Sequence, residues 1–335
     1  MKTVQIGYAL TSELHSANAM VQHARLAEQA GFTFALISDH FHPFFSRHGE
    51  SPFVWSVIGA IAHTTERLVL GSGVTCPLQR YHPALVAQAA ATCATLMPGR
   101  FFLGVGTGAH LNEHIYGGKW PAPGQRVAML AEAIEIIRRL WSGQECTYAG
   151  RYYTVEQAQL FSRPENPPPL VVAASGKRMA ALAARLGDGL VGLAPDHELV
   201  DAYLAAGAGP NTPRYAQVTV CYARTEEAAR RTAQDWWPLS LLPGSLIPEL
   251  ATPAQFDALA RLPNEGAISR TVVCGPDPAR HRARLREFTE AGFTHLYVHQ
   301  VGPDQEGFFR FYQEEVLPVL ATAPLEELYP ANPAA

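Results

Sequence analysis

The sequence predicts a (β/α)₈ barrel with insertions near the C-terminal ends of its strands. Roughly eight short, almost continuous apolar runs alternate with longer amphipathic stretches, the pattern of buried parallel strands covered by helices. A doubly wound dinucleotide-binding sheet would show G-x-G-x-x-G after its first strand; here the chain reads Leu10-Thr11-Ser12-Glu13-Leu14-His15-Ser16. The length, 335 residues, is one that a barrel can fill as a single domain. That domain is expected over residues 1–322, with 323–335, rich in Pro and Ala, as a flexible tail.

The elements follow in order. Thr3–Tyr8 reads as the first strand and Ala17–Ala30 as an amphipathic helix stopped by Gly31. Thr33–Ile37 is the second strand, Phe53–Thr65 a helix, and Leu68–Val74 the third strand. Pro83–Met97 is a helix with Pro at its start, Arg100–Val105 the fourth strand and Gln125–Trp141 a long helix. In the second half, strands are expected at Leu170–Ala174, Gly189–Leu193, Gln217–Ala223 and Thr294–His299. Helices are expected at Arg178–Leu186, Leu199–Ala206, Ala279–Ala291 and Phe308–Leu320. Two stretches break the repeat. Cys146–Arg163 reads as a β-hairpin about Gly150, and Glu226–Ser269, too long for a bare loop, as a helical insertion over the mouth of the barrel.

Composition excludes several function classes. The net charge is −4 and no run of Lys and Arg follows a phosphate backbone, which speaks against nucleic acid. Five scattered cysteines without C-x-x-C argue against a disulfide framework or a structural zinc. The N-terminus lacks a signal peptide's apolar run and no window approaches a membrane span, so a cytoplasmic protein is expected.

In such a barrel the chemistry sits just past the strand C-termini. After the second strand come Asp39, His40 and His42, a carboxylate and two imidazoles able to move protons at neutral pH. After the third come Gly71, Gly73, Val74 and Cys76, where glycine permits close approach of a flat ligand. After the fourth come Gly106, Thr107, Gly108, Ala109, His110, Asn112 and Glu113. His110, Glu113 and His114 spell the H-x-x-E-H of some zinc peptidases, but the glycine-rich approach places them at a strand-to-helix junction and no metal is expected. After the fifth, Ala174, Ser175, Gly176 and Lys177 open a helix whose free N–H groups and cation suit a phosphate. Phe41, Phe44, Phe45, Trp55, Trp120, Trp236 and Trp237 are candidates to shape an apolar pocket.

Taken together, SDHFHPF (38–44), LGSGVTCP (70–77), RYHPALVAQAAAT (80–92), FLGVGTGAHLNE (102–113), VVAASG (171–176) and RLGDGL (185–190) resemble the luciferase-like monooxygenase superfamily. Within it they are most similar to the F420-dependent glucose-6-phosphate dehydrogenase branch. The resemblance implies coenzyme F420, with FMN as the alternative, held at the strand C-termini of an enzyme that acts on a small molecule as a homodimer. It implies Asp39 against the ring and His40 as acid or base. It implies a cis peptide at Gly73-Val74, with Gly106, Thr107, Gly108 and Asn112 lining the cofactor and Ala174, Ser175, Gly176 and Lys177 at its phosphate.

The chain also departs from the family. The family's Trp is Phe44, and its acidic Glu is Ala109, which leaves that role to His110 or Glu113. Of the cations that bind sugar phosphate in the family, only the Arg has a match, Arg270. Phe44, Trp237 and Arg270 are then the expected substrate contacts. The implied function is hydride transfer between F420 and a small alcohol, carbonyl or enone other than glucose 6-phosphate. An FMN-dependent monooxygenase or flavin reductase is the alternative.

Overall fold

The computed structural model describes residues 4–261 and 268–320. The chain alternates β1 (Gln5–Leu10), α1 (Ala17–Ala30), β2 (Phe34–Ile37), α2 (Val54–Ala62), β3 (Val69–Ser72), α3 (Pro83–Leu96), β4 (Phe101–Val105), a one-turn α4 (His110–Glu113) and α5 (Pro123–Trp141). A hairpin of β5 (Cys146–Ala149) and β6 (Thr154–Ala158) follows. Then come β7 (Leu170–Ala173), α6 (Lys177–Leu186), β8 (Gly189–Gly192), α7 (His197–Ala205) and β9 (Arg214–Cys221). The insertion carries α8 (Glu226–Trp236), α9 (Pro253–Ala260) and α10 (Ile268–Thr271) before the short β10 (Val273–Cys274). The chain ends in α11 (Pro278–Glu290), β11 (His295–Gln300) and α12 (Gln305–Phe311). The expected tail at 323–335 lies outside the described residues.

The strands β1, β2, β3, β4, β7, β8, β9 and β11 pair in parallel, and β11 returns to β1, which closes the predicted barrel. β9 also pairs with β10 at its C-terminal end, after it has left β8. Helix ends are set locally. Ser16, Asp196, Thr225, Asp277 and Asp304 cap helix N-termini through side-chain oxygens, and Gly31 ends α1 at φ 94°.

Apolar side chains form three layers. The largest lies between the helices and the outer face of the barrel. A second, with Phe44, Phe45, Trp237 and Phe256, lies beneath the insertion. The third fills the lumen with Phe34, Phe102, Tyr215 and Tyr297. The Phe102 and Tyr215 rings stack 5.0 Å apart, and Phe34 meets Tyr215 edge-on at 5.5 Å. Glycine makes room for them. A Cβ on Gly7 would sit 2.5 Å from the ring of Phe34, its register partner, and one on Gly71 would sit 2.1 Å from that of Phe102, its own partner. Nearer the C-terminal end the inward residues shrink to Ala9, Gly73, Gly106 and Ala173, so the lumen opens into a shallow floor above an aromatic plug.

Several boundaries move. β1 runs two residues past Tyr8, because Ala9 and Leu10 pair with Leu36 and Ile37. β9 starts at Arg214, not Gln217, and stops two residues earlier than Ala223. Its buried Arg214 is accommodated by hydrogen bonds to the carbonyls of Gly292, Pro210 and Thr212. The last helix begins earlier, at Gln305, and after Phe311 it widens into a π-turn over Tyr312–Val316.

Candidate active site

The loops after β2, β3 and β4 are tied into one rim. The Thr75 hydroxyl donates to Asp39 Oδ2 at 2.8 Å, and Arg80 Nη2 donates to Asp39 Oδ1 at 2.8 Å and to its carbonyl at 3.0 Å. Asn112 Oδ1 accepts from the Phe41 and His42 amides at 2.9 and 3.3 Å. Glu113 Oε2 accepts from the Gln79 and Arg80 amides at 3.1 and 2.8 Å. Gly106 N donates to Thr75 O, and Gly73 N donates to Ile37 O. His40, Gly73 and Gly106 therefore belong to adjoining loops of one rim.

That network places two of the expected acids. Glu113, anticipated as an acid, is 1 % exposed; its Oε2 is taken by backbone amides, while Oε1 lies 3.7 Å from Arg80 Nε with no hydrogen bond. Burial raises its pKa, and the Arg80 and Gln79 bonds only moderate that rise. Through Oε2 it braces the loop after β3. His110, the other anticipated acid, stacks on Trp120 with centroids 5.3 Å apart and has Nδ1 3.4 Å from Glu249 O. It braces the insertion against the loop after β4. Asp39 and Asn112, anticipated at the cofactor, also commit oxygens to holding the rim, and Asp39 is 4 % exposed.

The floor suits a planar ring. The Gly73-Val74 peptide is cis, as the resemblance implied. A Cβ on Gly106 would meet Val74 Cγ2 at 2.8 Å. Gly108, at φ 73°, has the Cys76 sulfur where its Cβ would come, at 2.4 Å. Substituents at either position would crowd the floor. To one side, Ser175, Gly176 and Lys177 lie exposed at the N-terminus of α6, a ten-residue helix without a side-chain cap, and a Cβ on Gly176 would meet nothing within 4 Å. Free N–H groups, the helix dipole and Lys177, held only by a 3.5 Å exposed pair to Glu198, leave room for a phosphate there.

His40 follows β2 on the same rim. Its Nδ1 lies 3.3 Å from the His42 carbonyl, which can only accept, so Nδ1 donates there and Nε2 is left for another partner. Its ring meets Phe44 edge-on at 4.8 Å. Phe44 packs on Trp237 at 5.9 Å and on Phe256 at 5.4 Å, and Trp237 meets His299 at 4.4 Å. Phe44 and Trp237 thus belong to one apolar wall beneath the insertion. Trp55 does not: it packs on Phe101 in the outer shell. The Arg270 side chain lies outside the described residues.

One group was missed in the sequence. Glu13, in the loop after β1, is 3 % exposed, and its Oε2 accepts from the Ser38 hydroxyl at 2.5 Å and from the Ser12 hydroxyl at 3.4 Å. Burial alone would raise its pKa. The attraction of His40 when it carries a proton, the Ser38 bond and a smaller contribution from His299 outweigh burial and lower it. A carboxylate just past a strand was the available signal, but the first strand had been ended at Tyr8, short of this loop. His299, buried at the end of β11, adds Nδ1 at 3.3 Å from Gln217 Nε2.

Known proteins were compared with the chain. Residues 3–295 match the family of luciferase-like monooxygenases. An F420-dependent glucose-6-phosphate dehydrogenase of Microbacterium testaceum is 36% identical over 329 residues, 95% of this chain and 97% of the relative. An F420-dependent hydroxymycolic acid dehydrogenase of Mycobacterium tuberculosis is 36% identical over 323 residues, 94% of this chain and 88% of the relative. Among solved structures, an F420-dependent secondary alcohol dehydrogenase in complex with an F420-acetone adduct superposes with TM-score 0.88 at 27% identity, covering 95% of this chain and 99% of that one.

Proposed function

The chain belongs to the luciferase-like monooxygenase family, and on that premise we propose that it is an F420-dependent oxidoreductase moving a hydride between the deazaflavin and a small alcohol, carbonyl or enone. The observation that carries this reading is a glycine-lined floor on the same rim as His40 and the buried Glu13, whose pKa is lowered. Gly73, Val74, Gly106, Thr107 and Gly108 would hold the ring, and Ala174 to Lys177 the phosphate. The bound deazaflavin supplies a two-electron hydride acceptor or donor.

The chain's own residues then supply position and protons. The Phe44, Trp237 and Phe256 wall keeps water from the reacting carbon and favours an apolar substituent beside it. His40 Nε2 and the Glu13 carboxylate are the two acceptors for a substrate hydroxyl. One removes its proton as the alcohol is oxidised, and the protonated form returns it as a carbonyl is reduced. Glu13 thereby takes the place expected for His110 or Glu113, both of which are bound up in bracing the rim. A sugar phosphate is disfavoured, because the wall facing His40 is aromatic. Exposed Phe53 and Leu85, flanking α2 and opening α3, support a homodimer, which sedimentation would test.

A fluorescence titration with F420, and with FMN as the alternative, tests the cofactor. Turnover across secondary alcohols, ketones, enones and glucose 6-phosphate tests the substrate. Micromolar F420 affinity with turnover of an alcohol or ketone is expected. Absence of F420 binding, or turnover of glucose 6-phosphate alone, overturns the reading.

A further inference from the structure

The mouth of the barrel is lined unequally. Side chains of a strand alternate between its two faces. In β11, Leu296 and Val298 pack against the helices, while Tyr297 belongs to the aromatic plug. His299, two residues on, therefore faces the lumen one layer above the plug. In β9, Tyr215 lies in the plug and Ala216 and Val218 pack outward, so Gln217 and Thr219 face the lumen as well. The register sets Gln217 beside Tyr297 and Thr219 beside His299. Strand order places β9 and β11 four places around the barrel from β3 and β4, whose ends lead into Gly73 and Gly106. One wall of the mouth is bare, and the wall facing it carries an imidazole and two polar side chains.

That imidazole has a donor to spare. His299 is 2 % exposed, and burial pushes its pKa down to about 4, so the ring is neutral at pH 7. Its Nδ1 lies 3.3 Å from Gln217 Nε2, an amide nitrogen that can only donate and that also reaches the Thr219 hydroxyl at 3.4 Å. Nδ1 accepts there, which leaves the ring proton on Nε2. Nε2 is shielded from solvent and has no hydrogen-bond partner among the described residues. A buried N–H without an acceptor is unfavourable, and an apolar side chain would fill the same space without that cost. The neighbours of the ring locate the missing acceptor. His299 meets Trp237 at 4.4 Å, Trp237 meets Phe44 at 5.9 Å, and Phe44 meets His40 at 4.8 Å. Val298 pairs with Tyr8, so His299 stands beside the end of β1, the strand that leads to Glu13. The unused N–H borders the aromatic wall of the reaction pocket.

We propose that His299 is a further catalytic residue, whose Nε2–H donates a hydrogen bond to the oxygen of the substrate carbonyl or alcohol. The inference rests on the function proposed above and narrows its substrates to those that present an acceptor oxygen at or conjugated with the reacting carbon. A donor fixed in advance where negative charge gathers stabilises the transition state more than the ground state. In ketone reduction the carbonyl carbon takes a hydride from the reduced deazaflavin and forms the new C–H bond. The C=O π pair moves onto the oxygen, which takes a proton from protonated His40 or Glu13. His299 keeps its own proton throughout. Alcohol oxidation runs the same steps backwards.

Two measurements test this role. In the wild-type protein with ¹⁵N-labelled histidine, NMR reads which His299 nitrogen carries the proton. Nε2–H is expected, and its proton signal should move downfield when a ketone is added to the protein loaded with oxidised F420, a pair that cannot react. A proton on Nδ1, or a signal that the ketone leaves in place, overturns the proposal. The second measurement is kinetic. His299→Asn keeps a polar atom near the place of Nδ1 but none at Nε2, and His299→Phe keeps neither. Both are expected to lower kcat/KM for ketones by about 10²-fold or more, with F420 affinity and thermal midpoint close to wild type. His299→Gln, whose amide reaches the place of Nε2, should recover to within about tenfold of wild type. Wild-type kcat/KM in the Asn and Phe variants, or equal losses in all three, overturns the proposal. The NMR measurements need no substitution, so they decide if a variant does not fold. A wild-type protein that never turns over with F420 fails the proposed function instead, and the ring tautomer and the ketone shift in cofactor-free protein still decide the role of His299.

Discussion

Two buried carboxylates stand side by side at the rim, after β1 and β2, and they are treated in opposite ways. Asp39 receives a guanidinium at 2.8 Å, a threonine hydroxyl at 2.8 Å and Tyr81 OH at 3.4 Å. Glu13 receives two serine hydroxyls and its own backbone amide, and the titratable side chains that act on it are the imidazoles of His40 and His299. A carboxylate matched to an arginine that keeps its proton at any working pH is fixed in charge and position. One matched to hydroxyls and histidines can exchange a proton with its surroundings. The first arrangement builds the rim and the second is fit to do chemistry on it.

The sharpest test substitutes each in turn. Glu13→Gln is expected to lower kcat about 10²- to 10⁴-fold with F420 affinity and thermal midpoint close to wild type. A wild-type kcat would put both carboxylates in the structural class. Arg80→Met should act the other way. It strands Asp39 and Glu113, 4 % and 1 % exposed, without their cation, and should cost about 3–5 kcal/mol in urea unfolding. A loss below about 1 kcal/mol would show that the rim does not depend on that ion network.

Acid should distinguish the two sides next. Burial lowers the pKa of His299 to about 4 and of His295 to about 3. The unfolded chain therefore takes up these protons first as the pH falls below about 6.5. Their contribution to stability is complete above that pH and is lost as the pH drops towards 4 and 3, with a slope of about 1.4 kcal/mol per pH unit for each group. Urea midpoints measured from pH 7 to pH 4 should fall accordingly, and His299→Gln should flatten the slope. An unchanged slope in that variant would remove His299 from the titrating side. The smallest effect concerns the plug. Gly71→Ala places a methyl 2.1 Å from the Phe102 ring and should cost about 1–3 kcal/mol in unfolding while F420 affinity stays as in wild type. A loss of affinity equal to the loss of stability would mean that plug and floor are one unit.

How far each region could be read beforehand differs for physical reasons. The glycine floor was legible because Gly73, Gly106 and Gly108 lie within a few residues of apolar strand runs. The contacts of His110 and Glu113 were not legible, because a side chain's task is set by its partner. Glu113 meets Gln79 and Arg80 across more than thirty positions, and local composition carries no trace of that encounter. Glu13 escaped for the same reason, since its partner Ser38 is 25 residues away. β10 was missed because two residues have no periodicity; only pairing with Val220 and Cys221 makes them a strand.

The sequence alone determined the alternation of strands and helices, the preference for a barrel once no G-x-G-x-x-G followed the first strand, and the strand ends at which chemistry had to be sought. Those features come from periods of two and 3.6 residues, which are properties of neighbouring positions. The tertiary structure decided which carboxylate is clamped and which is free to move a proton, where β1 and β9 begin and end, and which aromatic rings face His40. Each of these depends on groups brought together from distant parts of the chain, where burial and the charge of the partner set the outcome.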